Sequence, residues 1–241
     1  MTRESLVIST IVELADNLVD DFDVIDVLTL LSDRCVLAID VDAAGVMLTS
    51  PSGELQYIAS SSESMRMLEL FQIQVNEGPC VDCIRDSAAI VNYALGNGDG
   101  RWPLFTPIAM AQGYESVHCM PLRLRGRSIG ALNLFRTHQG PLDERDVLVA
   151  QGLADVATIA ILQHRSALDA TTLNLQLSNA LHSRIVIEQA KGIISQASNC
   201  DMDVAFARLR AHARNKNLGL TSVALSVVEG ELRVFDLDHP R

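Results

Sequence analysis

The sequence predicts an α+β chain: an antiparallel sheet flanked by helices, then a long helix, then a unit of three short helices. Three observations carry this. Apolar residues recur at helical spacing over 4–39 and at strand spacing over 43–59 and 117–135. A heptad column runs from Val147 to His182. The residues after 183 form short helical blocks whose charge balance differs from the rest.

Taken in order, residues 4–19 and 24–39 read as two helices, with Asp23 as the N-cap of the second. Ala43–Thr49 and Leu55–Ala59 read as strands around the turn Ser50-Pro51-Ser52-Gly53. Ser64–Ile73 reads as a helix, ended by Asn76-Glu77-Gly78-Pro79. Cys80–Asp86 reads as a short helix and Ala89–Val91 as a short strand. Trp102–Gln112 reads as a helix with Pro103 in its first turn. Val117–Leu124 and Ser128–Phe135 read as a hairpin turning at Arg125-Gly126-Arg127.

Asp143 then caps a long helix. One heptad column is Val147, Ala154, Ile161, Leu168, Leu175 and His182; the other is Ala150, Ala157, His164, Thr171 and Ser178. The pattern outruns an ordinary globular helix, so it predicts a helix that packs on the first domain and continues as a parallel coiled coil of a homodimer. The alternative is one amphipathic helix lying across a monomer. Beyond it, the spacing predicts helices over Ser183–Gln196, Met202–Asn217 and Leu220–Val228, with Asp201 capping the second and Gly230–Arg241 a loose end.

The 241 residues are 48% hydrophobic and 20% charged, which excludes a disordered chain. No apolar run is long enough for a membrane helix, and Glu4 stands where a leader would be basic, so no membrane partner and a cytoplasmic location are expected. Five scattered cysteines do not make a disulfide framework. Net charge is −11, yet residues 1–182 carry no lysine and −12, while 183–217 carry six basic residues against three acids. An acidic body and a basic tail imply different partners.

On the tail, Arg184 and Lys191 share one helix face, and Arg210 and Arg214 lie four apart on the next helix, a small surface suited to phosphates. Charge alone favours a solvated face. Cys80-Val81-Asp82-Cys83 is a CxxC after a breaker, a candidate ligand or redox site. It lacks a βαβ context and a second CxxC, so half-buried structural cysteines are the blander reading. His118 and Cys119 are strand neighbours and face opposite ways. No catalytic constellation and no metal set emerges.

The tail blocks resemble a known family. Ser183-Arg184-Ile185-Val186-Ile187-Glu188-Gln189-Ala190-Lys191-Gly192-Ile193-Ile194 is similar to the first-helix signature of ANTAR domains. Ala205-Phe206, Leu209-Arg210 and Ala213-Arg214 are similar to their second helix, and Leu220, Val223-Ala224 and Val227-Val228 to their third. The resemblance implies a dimeric RNA-binding antiterminator that holds paired hairpins of a nascent transcript. Carried over by position, Arg184, Gln189, Lys191, Arg210 and Arg214 become the expected RNA-facing set, Ala190 and Gly192 permit close helix approach, and Phe206 and Leu209 are core. Ser195-Gln196 and Val204 depart from the family pattern.

The first 165 residues resemble a GAF domain through their element order and Glu77-Gly78-Pro79-Cys80. This implies a sensory six-stranded antiparallel sheet that often holds a small-molecule ligand, whose cofactor class the sequence leaves unspecified. The expected organisation is a GAF-like sensor over 1–165, a coiled-coil linker over 166–182 continuous with a helix from about 143, and an ANTAR unit over 183–241. The expected function is signal-controlled antitermination without catalysis. The alternatives are a sensor acting through protein partners and a thiol-redox switch at Cys80 and Cys83.

Overall fold

The computed structural model describes residues 2–16, 23–50, 52–124, 126–166, 170–216 and 218–237. Its contacts divide the chain into two units, 1–22 with 27–167 and 23–26 with 168–241.

The first unit takes in α1 (Arg3–Asp16), α2 (Val24–Ala38) from Val27 onward, β1 (Ala43–Thr49), β2 (Leu55–Ser60), α3 (Glu63–Val75), α4 (Pro79–Asp86), β3 (Ile90–Ala94), α5 (Phe105–Ala111), β4 (Ser116–Leu124), β5 (Arg127–Arg136) and α6 (Glu144–Ser166). The strands run β2-β1-β5-β4-β3, each antiparallel to its neighbours. Five strands, not six, are present among the described residues.

Local chemistry fixes the ends. The Asp23 carboxylate accepts the Ile25 N–H at 2.8 Å, Ser62 Oγ accepts the Met65 N–H at 3.2 Å, and Asp143 accepts the Arg145 N–H at 2.7 Å. Asn76 adopts the left-handed conformation that closes α3. The α5 helix starts at Phe105, later than the expected Trp102. The reason is remote: Glu77 Oε1 accepts the Leu104 and Phe105 N–H groups at 2.6 and 3.0 Å, capping the helix there and leaving Trp102 and Pro103 in the preceding loop.

One sheet face, with Ala43, Val117 and Phe135, packs on Met65, Leu68, Trp102, Phe105 and Tyr114, all buried. Each of the valine, leucine, phenylalanine and methionine side chains among them contributes about 1.5–3 kcal/mol of transfer free energy. α6 packs against β4 and α1, with Ala150, Ala154, Ala157 and Ile161 buried. The first part of the heptad pattern is thus satisfied within this unit. Residues 167–169, and the side chains of the later seam positions His164, Leu168, Thr171, Leu175, Ser178 and His182, lie outside the described residues.

The second unit holds α7 (Ala170–Ser198), α8 (Met202–Lys216) and α9 (Leu220–Val228). α7 is one helix through position 183, where the spacing predicts a separate start. The buried stripe is Val186, Ile187, Ala190 and Ile194 on α7, Ala205, Phe206, Leu209 and Ala213 on α8, and Leu220, Val223, Ala224 and Val227 on α9. Asp201 caps α8 by accepting the Val204 N–H at 2.7 Å. Residues after Gly230 are not loose throughout. Val234–Leu237 form a 3-10 turn that packs on α7 and α8, with Leu237 buried and its carbonyl 3.3 Å from His212 Nδ1.

Two of the departures from the family pattern fall on the surface and the third, Ser195, is half-buried. Gln196 and Val204 are exposed, and Ser195 Oγ donates to the Cys200 carbonyl at 2.6 Å, so the core is undisturbed. Ala190 is buried as expected for close helix approach, whereas Gly192 is exposed with open space where a Cβ would stand.

Candidate nucleic-acid interface and sensor core

On α7, residues two turns apart share a face and residues two apart lie about 160° round from each other. Arg184 and Lys191 therefore fall on one flank, while Gln189 falls on the exposed side with Ile185 and Ile193. On α8, Phe206, Arg210 and Arg214 follow at four-residue steps, which places them along one flank.

Phe206 joins the two flanks. Lys191 Nζ lies 4.9 Å and Arg210 Cζ 5.0 Å from the centre of its ring. Lys191 is 1% exposed and donates to both oxygens of Glu188, at 3.1 and 3.2 Å. Arg184 and Arg210 are half-buried; Gln189, Arg214 and Lys216 are exposed. Burial first, and the neighbouring Arg214 second, push the Arg210 guanidinium down to about 10, which leaves it charged at neutral pH. Arg208, on the other flank, turns inward to Ser198 Oγ and the Val234 carbonyl.

Of the five expected contact residues, the structure brings Lys191 and Arg210 together across Phe206, keeps Arg214 on the α8 flank with Arg210, leaves Arg184 two turns from Lys191 on α7, and puts Gln189 elsewhere on α7. Lys191 is walled in. The signal for that was present: an i, i+3 Glu188–Lys191 pair next to the apolar stripe.

The first unit holds a buried polar cluster beside the sheet. Glu69 and Gln72 of α3 and Asn133 of β5 have no exposure. Asn133 Nδ2 donates to both Glu69 oxygens at 2.7 and 2.9 Å, and Gln72 Nε2 donates to Glu69 Oε2 at 3.0 Å. Gln72 Oε1 in turn accepts the Cys80 N–H at 3.0 Å. Burial pushes the Glu69 carboxyl up to about 8, against the lowering effect of Asn133.

Cys80 and Cys83 point into this core beside Cys119, and all three are fully buried rather than half-buried. Cys83 Sγ donates to the Cys119 carbonyl at 3.6 Å. Burial raises the Cys80 and Cys119 thiols, the opposite of the lowered value that a reactive thiol uses. His118 points to the other side of β4. Its Nδ1 accepts the Asn92 N–H at 2.9 Å, and burial, aided by Arg136, pushes it down to about 4. Sequence reasoning missed Glu69 and Asn133, because a lone acid in an amphipathic helix reads as a solvated position.

Over the core lies a clasp. Asp82 Oδ2 accepts Arg101 Nε at 2.9 Å and Trp102 Nε1 at 3.0 Å, and Asp82 Oδ1 pairs with Arg85 at 2.7 Å. Among the described residues no group of three metal-ligating side chains is found, and no helix is long and apolar enough to cross a membrane.

The GAF domain family matches residues 23–162 and the ANTAR domain family matches residues 175–228. Among the curated proteins none matches. Of solved structures, residues 122 to 287 of a methyl-accepting chemotaxis protein superpose with a TM-score of 0.53 at 17% identity, over 65% of this chain and 99% of that one. The GAF domain of a phosphoenolpyruvate-protein phosphotransferase from Coxiella burnetii gives 0.52 at 15%, over 67% and 95%. The phycoerythrobilin-bound GAF domain of a cyanobacterial phytochrome gives 0.51 at 14%, over 69% and 98%. At these identities the likeness speaks for the fold. With an antiparallel sheet flanked by helices followed by a helical unit, and both families matched in that order, the chain belongs to the GAF domain family and has the GAF–ANTAR architecture of a regulator.

Proposed function

We propose that the protein is a cytoplasmic, homodimeric, non-catalytic regulator that binds paired RNA hairpins and antiterminates transcription under the control of its GAF sensor. In this reading residues 1–165 sense a small-molecule ligand, 166–182 connect, and 183–241 bind RNA. The observation that carries it is the Arg210–Arg214 flank of α8, joined through Phe206 to Lys191 of α7, inside the ANTAR-matched segment of an otherwise acidic chain. Guanidinium groups suit RNA loops because their planar N–H forks match phosphate oxygens and also stack on unpaired bases. One unit per hairpin in a dimer gives two-site avidity without any new contact.

The full-length protein should bind an RNA with two stem–loops more tightly than either single stem–loop or a scrambled sequence, across a salt series. Arg214→Ala should weaken binding and lower the slope of log affinity on log salt by about 1. A wild-type dimer that binds none of these RNAs would redirect the assignment to a sensor acting through protein partners.

A further inference from the structure

We infer that Lys191 is a positioning residue of the RNA-binding surface: it works from inside the helical unit, through the Phe206 ring, to hold the Arg210 guanidinium where phosphate can reach it. The inference rests on the RNA-binding reading and reassigns one of its expected contacts.

The geometry runs as a relay from α7 to α8. Glu188, one turn back on α7, accepts two hydrogen bonds from Lys191 Nζ, and this fixes the ammonium in place. The ammonium lies over Phe206 at 4.9 Å. The ring is 9% exposed and cannot turn without moving its packed neighbours. Arg210, one turn further along α8, places its guanidinium over the same ring at 5.0 Å. Arg214 follows one more turn on, exposed.

A Lys191 side chain at 1% exposure presents nothing to an RNA. To touch a phosphate it would have to leave Glu188 and the ring together. Arg210 differs. It has a long flexible stem, it is half-buried, and a ring held from behind limits the places its fork can occupy. A fork already held in place loses less freedom on gripping phosphate. Lysine suits the inner position because its compact ammonium satisfies a carboxylate and an aromatic face in a small space.

The test uses full-length K191M, F206L and R210A, and the doubles K191M/R210A and F206L/R210A, with the two-stem–loop RNA across a salt series. In parallel, the Arg210 Nε–H resonance is followed by NMR without RNA. K191M keeps the volume of the stem, and Glu188 retains 30% side-chain exposure, so no orphan charge is sealed in. F206L is the second route, because it removes the ring while leaving Lys191. K191M and F206L are each expected to weaken binding about ten-fold, yet to add nothing once Arg210 is alanine, since coupled residues are non-additive. Each is also expected to shift the Arg210 resonance.

Losses that multiply in K191M/R210A, with a separate drop of about 1 in salt slope for each residue, would mean that Lys191 grips phosphate itself and would overturn the inference. An Arg210 resonance unmoved in K191M would overturn it as well, with or without RNA binding. A wild type that binds no RNA while K191M still moves that resonance counts against the RNA reading and for the coupling of Lys191 to Arg210.

Discussion

The Glu69 carboxyl and the Asn133 amide meet at 2.7 and 2.9 Å in the middle of the sensor unit, with neither residue exposed. Burial of that carboxyl, opposed by the Asn133 hydrogen bonds, makes stability depend on pH with a definite sign. Burial raises Glu69 from 4.5 to about 8, so below 4.5 the folded and unfolded chains both hold its proton. Between those values only the folded chain holds it, and each rise in pH favours unfolding. Above about 8 the loss is complete. Glu69→Gln keeps the shape and removes the titration. Urea unfolding of the variant should show stability gained over wild type that grows by about 3 kcal/mol between pH 5 and 7.5. Parallel pH curves for the two proteins would exclude Glu69 as the titrating group.

Gly45 stands on β1 opposite Asn133 of β5, and Glu69 fills the space that a side chain there would take. A Cβ on Gly45 would come 2.3 Å from Glu69 Oε1 and 2.9 Å from Met65 Cε. Asn133 and Gln72 hold the carboxyl, so it cannot step aside at small cost. Gly45→Ala should destabilise the sensor unit by about 1–3 kcal/mol. A combined Gly45→Ala, Glu69→Ala protein should recover part of that loss in thermal melting. Equal melting of wild type and Gly45→Ala would show that the cluster yields freely.

Periodicity carried the fold because most residues here obey it. β1 begins and ends where its short apolar run and the Ser50–Gly53 turn place it, and α8 begins at its Asp201 cap. Failures came where one residue acts across a long sequence distance. Glu77 sets the start of α5 from 28 positions away, and no local window contains that carboxylate. The docking of Leu237 likewise depends on a surface made by α7 and α8 together. At the interface, spacing put Arg184 with Lys191 and Arg210 with Arg214. Spacing could not separate an arginine that reaches outward from a lysine that a neighbouring phenylalanine and glutamate enclose.

Asp82 supplies one oxygen to both Arg101 and Trp102, and Trp102 is the single tryptophan of the chain. Asp82→Ala would leave the indole N–H, on a residue 2% exposed, without its acceptor. The expected cost is about 1–3 kcal/mol. Tryptophan emission should move to longer wavelength as the 101–104 loop loosens. Asp82→Asn retains a carbonyl acceptor for the indole and should keep the emission near wild type while weakening the arginine contacts. An unchanged spectrum in Asp82→Ala would show that the aromatic packing of Trp102 against Tyr93 and Phe105 holds the loop without the carboxylate.

The five cysteines should divide sharply in a thiol-reagent titration. Cys35, Cys80, Cys83 and Cys119 are fully buried, and Cys200 is partly exposed. Reaction needs a thiolate and a path for the reagent. Burial denies both: it pushes Cys35 up to about 12 and raises Cys80 and Cys119. Native protein should therefore show one fast thiol per chain, Cys200→Ser none, and the unfolded chain all of its cysteines. The slow four should react at the rate at which the sensor core opens, and denaturant should speed them. Two further fast thiols in native Cys200→Ser, lost on substituting Cys80 and Cys83, would reveal a core that opens readily. That result would restore a redox role to the CxxC turn, since a transiently solvated Cys80 thiol regains the ordinary thiolate fraction that the closed core suppresses.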